Sequence, residues 1–521
     1  VLTPAVTVPE FLGFRDAVVS ECVGALPSRD RCNISFPQFA CKRLGSYNHN
    51  LANLQQAVER RVFTVEDKIN GGFRLCPKPV PRIWDSMWQY GKRVADMVRS
   101  KGVKRLTAEA FLAQCPRHNM AAYRKALDSA RLKGVQRCHS WIFPFVKNEK
   151  VDVTKACRLI SPRHKVYNVE LGRFTRAIEE EVYRAIGRAW GDVEHRENTV
   201  AKGMTVEQVA WAMRQKWLDF DDPVGVGLDA SRFDQHVSRE ALVWEHGVYL
   251  SIFNENKYLR KLLHMQLENK FVVKMDGQKF EFEVDGTRMS GDMNTALGNC
   301  LIMSMLVLAW CESVGVRARL INNGDDCVVF MERADYDRFM EGLPLWFEDR
   351  GFEMKVEEPV DVFERLEFCQ MKPVWAGKWV MVRNIDAALT KDTMALGVVD
   401  RVGLLRWIHA VGTCGWSLYG DIPIYNSLYA AMMRNGVASS IKFSSLFDNS
   451  GLIRLGKRPR IRIGDSVQTR DATRLSFQRA FGITVQHQRE VESYLDAWHG
   501  VGEVRTGMPL YAGLHHVSLG K

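Results

Sequence analysis

Apolar and small or polar residues alternate along Val224-Gly225-Val226-Gly227-Leu228-Asp229, so that Val224, Val226 and Leu228 share one face and Gly225, Gly227 and Asp229 the other. A period of two predicts a strand. Short strand-like runs recur at 317–322, 327–331 and 379–383, whereas 174–188 and 292–314 carry helical patterns. The mixture predicts an α+β fold. No repeat of fixed period and no low-complexity tract interrupts it. Seams are expected at 219–223, where an acidic cluster meets Pro, and at 386–392, after the last strand pattern. They would separate a mixed N-terminal region, a central sheet-bearing region and a mainly helical C-terminal region.

Composition narrows the class. With 46% hydrophobic and 26% charged residues over 521 positions the chain is globular, which excludes disorder and collagen-like structure. The net charge of +11 points to a polyanionic partner, and it is localised. Residues 137–176 hold nine basic against three acidic residues, and 451–464 hold Arg454, Lys457, Arg458, Arg460 and Arg462 with no acid. The second run is interleaved with Leu452, Ile453, Leu455, Ile461 and Ile463, which reads as an anchored surface for a polyanion rather than a loose tail. Twelve Cys without a CxxC pair fit a reducing compartment. The longest apolar run, 301–311, is too short for a bilayer, so no membrane span is expected. The N-terminus, Val1-Leu2-Thr3-Pro4, lacks an initiator Met and a signal-peptide layout, as expected of a processed product, a trimmed chain or the later part of a longer polypeptide with any anchor upstream.

Three polar clusters carry candidate chemistry. Asp229 ends a strand on a face cleared by two glycines, where something large must come close, and Asp234 follows five residues on, either as a functional carboxylate or as a helix cap. Asn322-Asn323-Gly324-Asp325-Asp326 joins two strand patterns with a hairpin signal. Two adjacent Asp at its tip repel each other, and a divalent cation such as Mg²⁺ would remove that penalty. Between them Ser290-Gly291-Asp292 turns into a helix with Asp292 as a cap, and Thr295 and Asn299 fall on one face of it. The residues that follow are apolar nearly all round, so this helix should be buried and its early polar groups need partners, a bound ribose among the candidates. Cys115-x2-His118 with Cys138-His139 has zinc-ligand types at a non-standard spacing, and zinc is not expected. His515-His516 reads as a polar tail.

Taken in order, these blocks resemble the palm motifs of viral RNA-dependent RNA polymerases: Asp229-x4-Asp234 as motif A, Ser290-Gly291-x3-Thr295-x3-Asn299 as motif B and Gly324-Asp325-Asp326 as motif C. Gly351-Phe352-Glu353-Met354-Lys355 is similar to motif D and Phe368-Cys369-Gln370-Met371-Lys372 to motif E. The stretch from Lys147-Asn148-Glu149-Lys150 through Lys155 to Arg158-Leu159-Ile160 is similar to motif F. The wording is most like the tombusvirus family, carmoviruses in particular, and the match runs over about 141–375.

The resemblance implies a right hand: fingers at 1–220 with N-terminal fingertips and motif F, a palm with an antiparallel sheet at 221–385 interrupted by a fingers insertion near 240–285, and a mainly helical thumb at 386–521. It implies two Mg²⁺ ions, with Mn²⁺ as a substitute, on Asp229, Asp325 and Asp326. Lys355 is the implied general acid for pyrophosphate, and Lys147, Lys150, Lys155 and Arg158 the implied triphosphate grip. Asp234, Ser290, Thr295 and Asn299 would hold the ribose. Template and product RNA, NTPs, a viral auxiliary replication protein and host factors are the implied partners, in membrane-associated replication complexes of the host cytoplasm, with primer-independent initiation. A reverse transcriptase is disfavoured because that group places an aromatic where Asp234 stands. A scaffold that has lost its chemistry is opposed by the intact Asp229, Asp325 and Asp326.

Overall fold

The alternating run is realised as β1 (Pro223–Ala230), an interior strand. It belongs to a four-stranded antiparallel sheet with β4 (Ala318–Asn322), β5 (Asp326–Glu332) and β6 (Met354–Val356), in the order β4-β5-β1-β6. This computed structural model describes residues 15–21, 33–35, 44–67, 69–152, 154–193, 198–397, 400–438, 459–465, 467–500 and 504–506. All pairings between its named strands are antiparallel, consistent with an α+β fold.

The sheet separates two apolar cores. Val224, Val226 and Leu228 of β1 join Cys327, Val329 and Met331 of β5 in a core shared with α1 (Lys165–Ala189), α3 (Arg239–Ile252) and α4 (Thr295–Val314). On the other face Ile321, Val328 and Phe330 pack in a second core. That core also takes in α2 (Val206–Leu218), the hairpin of β7 (Met371–Trp375) and β8 (Trp379–Arg383), and the helices α6 (Arg401–Tyr419) and α7 (Tyr425–Asn435). Burial on both faces explains why 327–331 is apolar without alternation. Each such side chain contributes roughly 1.5–3 kcal/mol of burial. A third core lies around the hairpin of β2 (Glu268–Met275) and β3 (Gln278–Asp285), and Ile142, Val146 and Leu159 of the basic segment are anchored in it.

One apolar helix is explained by burial, and two expectations change. The helix α4 is long and apolar enough to cross a membrane, with 83% of its apolar window buried inside the protein. Its hydrophobicity is accounted for by the first core, and it ends at Gly315 in the left-handed conformation, φ +66°. Residues 386–392 are not a loose connection: they form α5 (Ile385–Asp392), whose Asp392 is buried and paired with Arg383 and the Tyr429 hydroxyl. Residues 219–223 are a tied turn, since Asp221 and Asp222 donate their backbone N–H to the Glu332 carboxylate.

Candidate active site

The sheet register assembles the first cluster. Asp326 lies directly across from Asp229 in the β5–β1 pair, and Lys355 lies across from Asp229 on its other side in β6. Directly opposed residues on one sheet face have Cβ atoms about 4.5–5.5 Å apart. The hairpin tip depends on Gly324, whose φ of +106° favours glycine, and on the buried Asn322, whose amide accepts from the Gly324 N–H at 3.0 Å and donates to the Gly324 carbonyl at 2.7 Å. The tip thereby presents Asp325 outward. Asp326 is half-buried, and its Oδ2 accepts from the Cys369 N–H at 2.9 Å. Cys369 and Gln370 hold that turn at φ +54° and +59°.

Electrostatics set the cluster apart. Burial, with the charge of Asp325, raises the Asp229 carboxyl above its ordinary value. Asp326 is pushed up to about 6 by burial and by the neighbouring carboxylates. Such mutual repulsion is relieved by a hard divalent cation, and Mg²⁺ is commonly held by one or two protein carboxylates with water and phosphate completing its shell. The hard carboxylate oxygens are of the type that ion takes; Asp326 is turned toward Cys369 and, among the described residues, no three His, Cys, Asp or Glu side chains are grouped to hold an ion. The face cleared by Gly225 and Gly227 is occupied from within: a Cβ on Gly225 would strike Leu366 and one on Gly227 would strike the Glu357 carboxylate. Those glycines serve packing beneath the site, which corrects the expectation that they admit something large.

The second cluster faces the first. Asn299, on the first turns of α4, donates from Nδ2 to Asp234 Oδ1 at 2.7 Å. Burial raises the Asp234 carboxyl, opposed by this hydrogen bond and by the Arg288 guanidinium. Ser290 and Thr295 stand beside them with their hydroxyl protons committed. Ser290 Oγ donates to the Leu159 carbonyl at 3.1 Å and accepts from the Ser161 N–H at 3.3 Å, and Thr295 donates to the carbonyls of Met289 and Asp292. They shape the loop that carries Asn299 and join it to the basic segment. Gly291 permits that junction, since a Cβ there would lie 2.6 Å from Pro162 Cα. Asp292 is not a simple cap: it is buried and salt-bridged to the fully buried Arg163 at 2.6 Å.

The basic segment divides. Lys147 and Arg158 both pair with Glu149, at 2.8 and 3.2 Å, across a short antiparallel ladder, and Arg158 is close enough to Asp234 to favour its ionised form. Arg158 and Lys155 are exposed. Lys150 does not join them: it is buried, donates to the Lys391 carbonyl and lies 5.3 Å from the Trp407 ring centre, and burial lowers its ammonium to about 7. Much of the net charge of 137–176 is likewise structural, because Arg163 pairs with Asp292 and Arg173 with Glu170. In the second basic run the Arg460 side chain is covered and paired with Asp421 and Glu207, so it is a structural residue, while Arg462 is exposed. Arg454, Lys457 and Arg458 lie outside the described residues, as do His515 and His516. Cys115 and Cys138 donate to the Phe111 carbonyl and the Gln136 side chain.

Several contributors had no signal in the sequence. Lys202 reaches the hairpin tip and donates to the Asn323 carbonyl at 3.0 Å. Arg288 and Glu245 form a fully buried ion pair behind Asn299. Each depends on a partner 40 or more positions away (Lys202 to Asn323 spans 121, Arg288 to Glu245 spans 43), which no local pattern announces.

Comparison with known sequences agrees with this geometry. The family described as viral RNA dependent RNA polymerase matches residues 24–501. The RNA-directed RNA polymerase of Melon necrotic spot virus is 39% identical over 464 residues, covering 87% of this chain and 57% of that protein. That of Turnip crinkle virus is 37% identical over 462 residues, covering 87% and 58%. The Maize chlorotic mottle virus (isolate United States/Kansas/1987) enzyme is 37% identical over 462 residues, covering 87% and 47%. The chain thus spans about half the length of the curated relatives it matches. The family match over residues 24–501 places the chain among the viral RNA-dependent RNA polymerases.

Proposed function

We propose that the chain is the template-directed RNA polymerase of a positive-strand plant virus, joining NTPs by attack of a 3′-hydroxyl on the α-phosphate. The observation that carries the reading is the register that sets Asp229 opposite Asp326, with Asp325 at the adjoining tip and Lys355 on the other flank. Two divalent cations, Mg²⁺ or Mn²⁺, on Asp229 and Asp325 with Asp326 assisting would supply a more acidic 3′-hydroxyl and neutralise charge on the pyrophosphate. Asp234 and Asn299 hydrogen-bond the ribose hydroxyls, and a deoxy analogue leaves the remaining amide hydrogen and the second carboxylate oxygen of the pair without that partner. Arg158, Lys155 and Lys147 steer the triphosphate, Arg158 with a bidentate fork. Lys355 donates the proton that the leaving pyrophosphate takes up.

The hand is divided as fingers at 1–220, palm at 221–385 with an insertion near 240–285, and thumb at 386–521, with initiation independent of a primer. Arg462, with Arg454, Lys457 and Arg458, contacts template or product backbone. Auxiliary viral and host proteins and membrane-associated replication complexes in the host cytoplasm complete the setting by family likeness. The test is synthesis by the purified chain from a defined RNA template, four rNTPs and Mg²⁺ or Mn²⁺. Template-dependent product that disappears in Asp325→Ala with RNA binding preserved is the expected result. Equal behaviour of wild type and Asp325→Ala overturns the reading.

A further inference from the structure

Behind the Asp234–Asn299 pair lies a charge that neither the metal site nor the triphosphate grip uses. Arg288 and Glu245 have no exposed side-chain surface and are salt-bridged to each other. Arg288 Nε donates to Asn299 Oδ1 at 3.1 Å, and the Arg288 backbone N–H donates to the Asp234 carbonyl at 3.0 Å. Glu245 in turn accepts from Asn294 at 2.8 Å and from the Tyr249 hydroxyl at 2.7 Å. The helix α4 makes room for this arrangement: at Gly298, one residue before Asn299, any Cβ would fall on both the Arg288 guanidinium and the Glu245 carboxylate.

A guanidinium donates and never accepts, so the Asn299 oxygen must face Arg288 and its NH₂ must face Asp234. With one amide hydrogen on Asp234 Oδ1, the other amide hydrogen and the second Asp234 oxygen form a donor and acceptor pair, which matches a hydroxyl that both donates and accepts. We propose that Arg288, held by Glu245 and admitted by Gly298, is a positioning residue that locks the Asn299 amide and thereby sets selection of ribonucleotides over 2′-deoxyribonucleotides. The inference rests on the polymerase reading above. It goes beyond it by assigning sugar selectivity to a buried ion pair that touches no substrate.

The experiment measures kcat/KM for a correct rNTP and for its 2′-deoxy counterpart on one RNA template. Wild type, Arg288→Lys, Asn299→Ala and the double variant are compared, with thermal melting alongside. Lysine keeps the charge facing Glu245 but lacks the planar fork that reaches both partners. Arg288→Lys is expected to lower the ribo/deoxy ratio by roughly tenfold, the scale of one hydrogen bond. Combined with Asn299→Ala it should lower the ratio no further than Asn299→Ala alone. A purely structural role would lower both rates together and leave the ratio at its wild-type value, and that result, or additive effects in the double variant, overturns the proposal. If Arg288→Lys does not fold, Arg288→Met/Glu245→Met removes both charges at similar volume and is judged by the same ratio. Failure of the wild type itself to extend with rNTPs would overturn the polymerase reading instead.

Discussion

The junction at Gly291 yields a prediction whose size follows from the structure. A methyl group there would sit 2.6 Å from Pro162 Cα and 2.8 Å from Pro162 N, both backbone atoms that cannot rotate aside. Ordinary contact begins at 3.4 Å, so Gly291→Ala must separate the loop from the basic segment by about 0.8 Å. The Ser161 N–H to Ser290 hydrogen bond, already 3.3 Å, would be lost by that movement. The displaced residues precede Arg163 and Asp292, whose buried salt bridge ties the same two segments, so the shift propagates to both sides of the proposed nucleotide site. Misplacement on the order of 1 Å costs about 10²-fold in rate. Single-nucleotide extension on a preformed template–primer duplex should therefore show kcat/KM reduced about 10²-fold in Gly291→Ala, with RNA affinity near wild type. Turnover within a few-fold of wild type in a folded Gly291→Ala chain would refute the close-packed junction.

Three further outcomes follow. Because Asp326 is pushed up to about 6, the folded chain binds more protons than the unfolded chain between about pH 4 and pH 6, and metal-free stability attributable to this group falls as pH rises through that window. Urea midpoints should decline less across it in Asp326→Asn than in wild type, and equal declines would count against the raised carboxyl. Arg460→Ala should destabilise by about 3 kcal/mol, by breaking a buried pair, while the salt dependence of RNA binding stays at its wild-type slope. A reduced slope at unchanged stability would return Arg460 to the RNA surface. Lys355→Met should lower kcat by roughly 10²–10⁴-fold without changing the RNA Kd, and an unchanged kcat would remove the general-acid role.

What could be read from the sequence was what local physics determines. The alternation at 224–229 and the Asn-Gly signal before Asp325 specify a strand and a hairpin, and both stand within a residue or two of their expected limits. The helical face shared by Thr295 and Asn299 was equally legible, because spacing alone puts i and i+4 together. Charge was misleading where pairing is long-range. Arg163, Lys150 and Arg460 look like surface cations in any window of sequence, yet their partners are Asp292, the Lys391 carbonyl and Asp421. The seam expected at 386–392 has a similar cause, since the partners that tie Asp392 down lie on β8 and α7. The glycines of β1 signalled a close approach correctly, but only the fold shows that Leu366 and Glu357 are what approaches.

The interior place of β1 also dictates the order in which the protein can be finished as it is made. Both of its neighbours, β5 and β6, are encoded downstream, and the β1–β5 pair joins Leu228 to Cys327 across 99 positions. At typical elongation rates that interval lasts on the order of ten seconds. During it a nascent chain carries an apolar strand with both hydrogen-bonding edges open, the exposure that invites pairing with another chain. The helices encoded in the interval, α3 and α4, share a core with Val224, Val226 and Leu228 in the folded protein. The last residues to enter the carboxylate sheet are those of β6, so the acidic centre is completed only when Lys355 is in place beside Asp229.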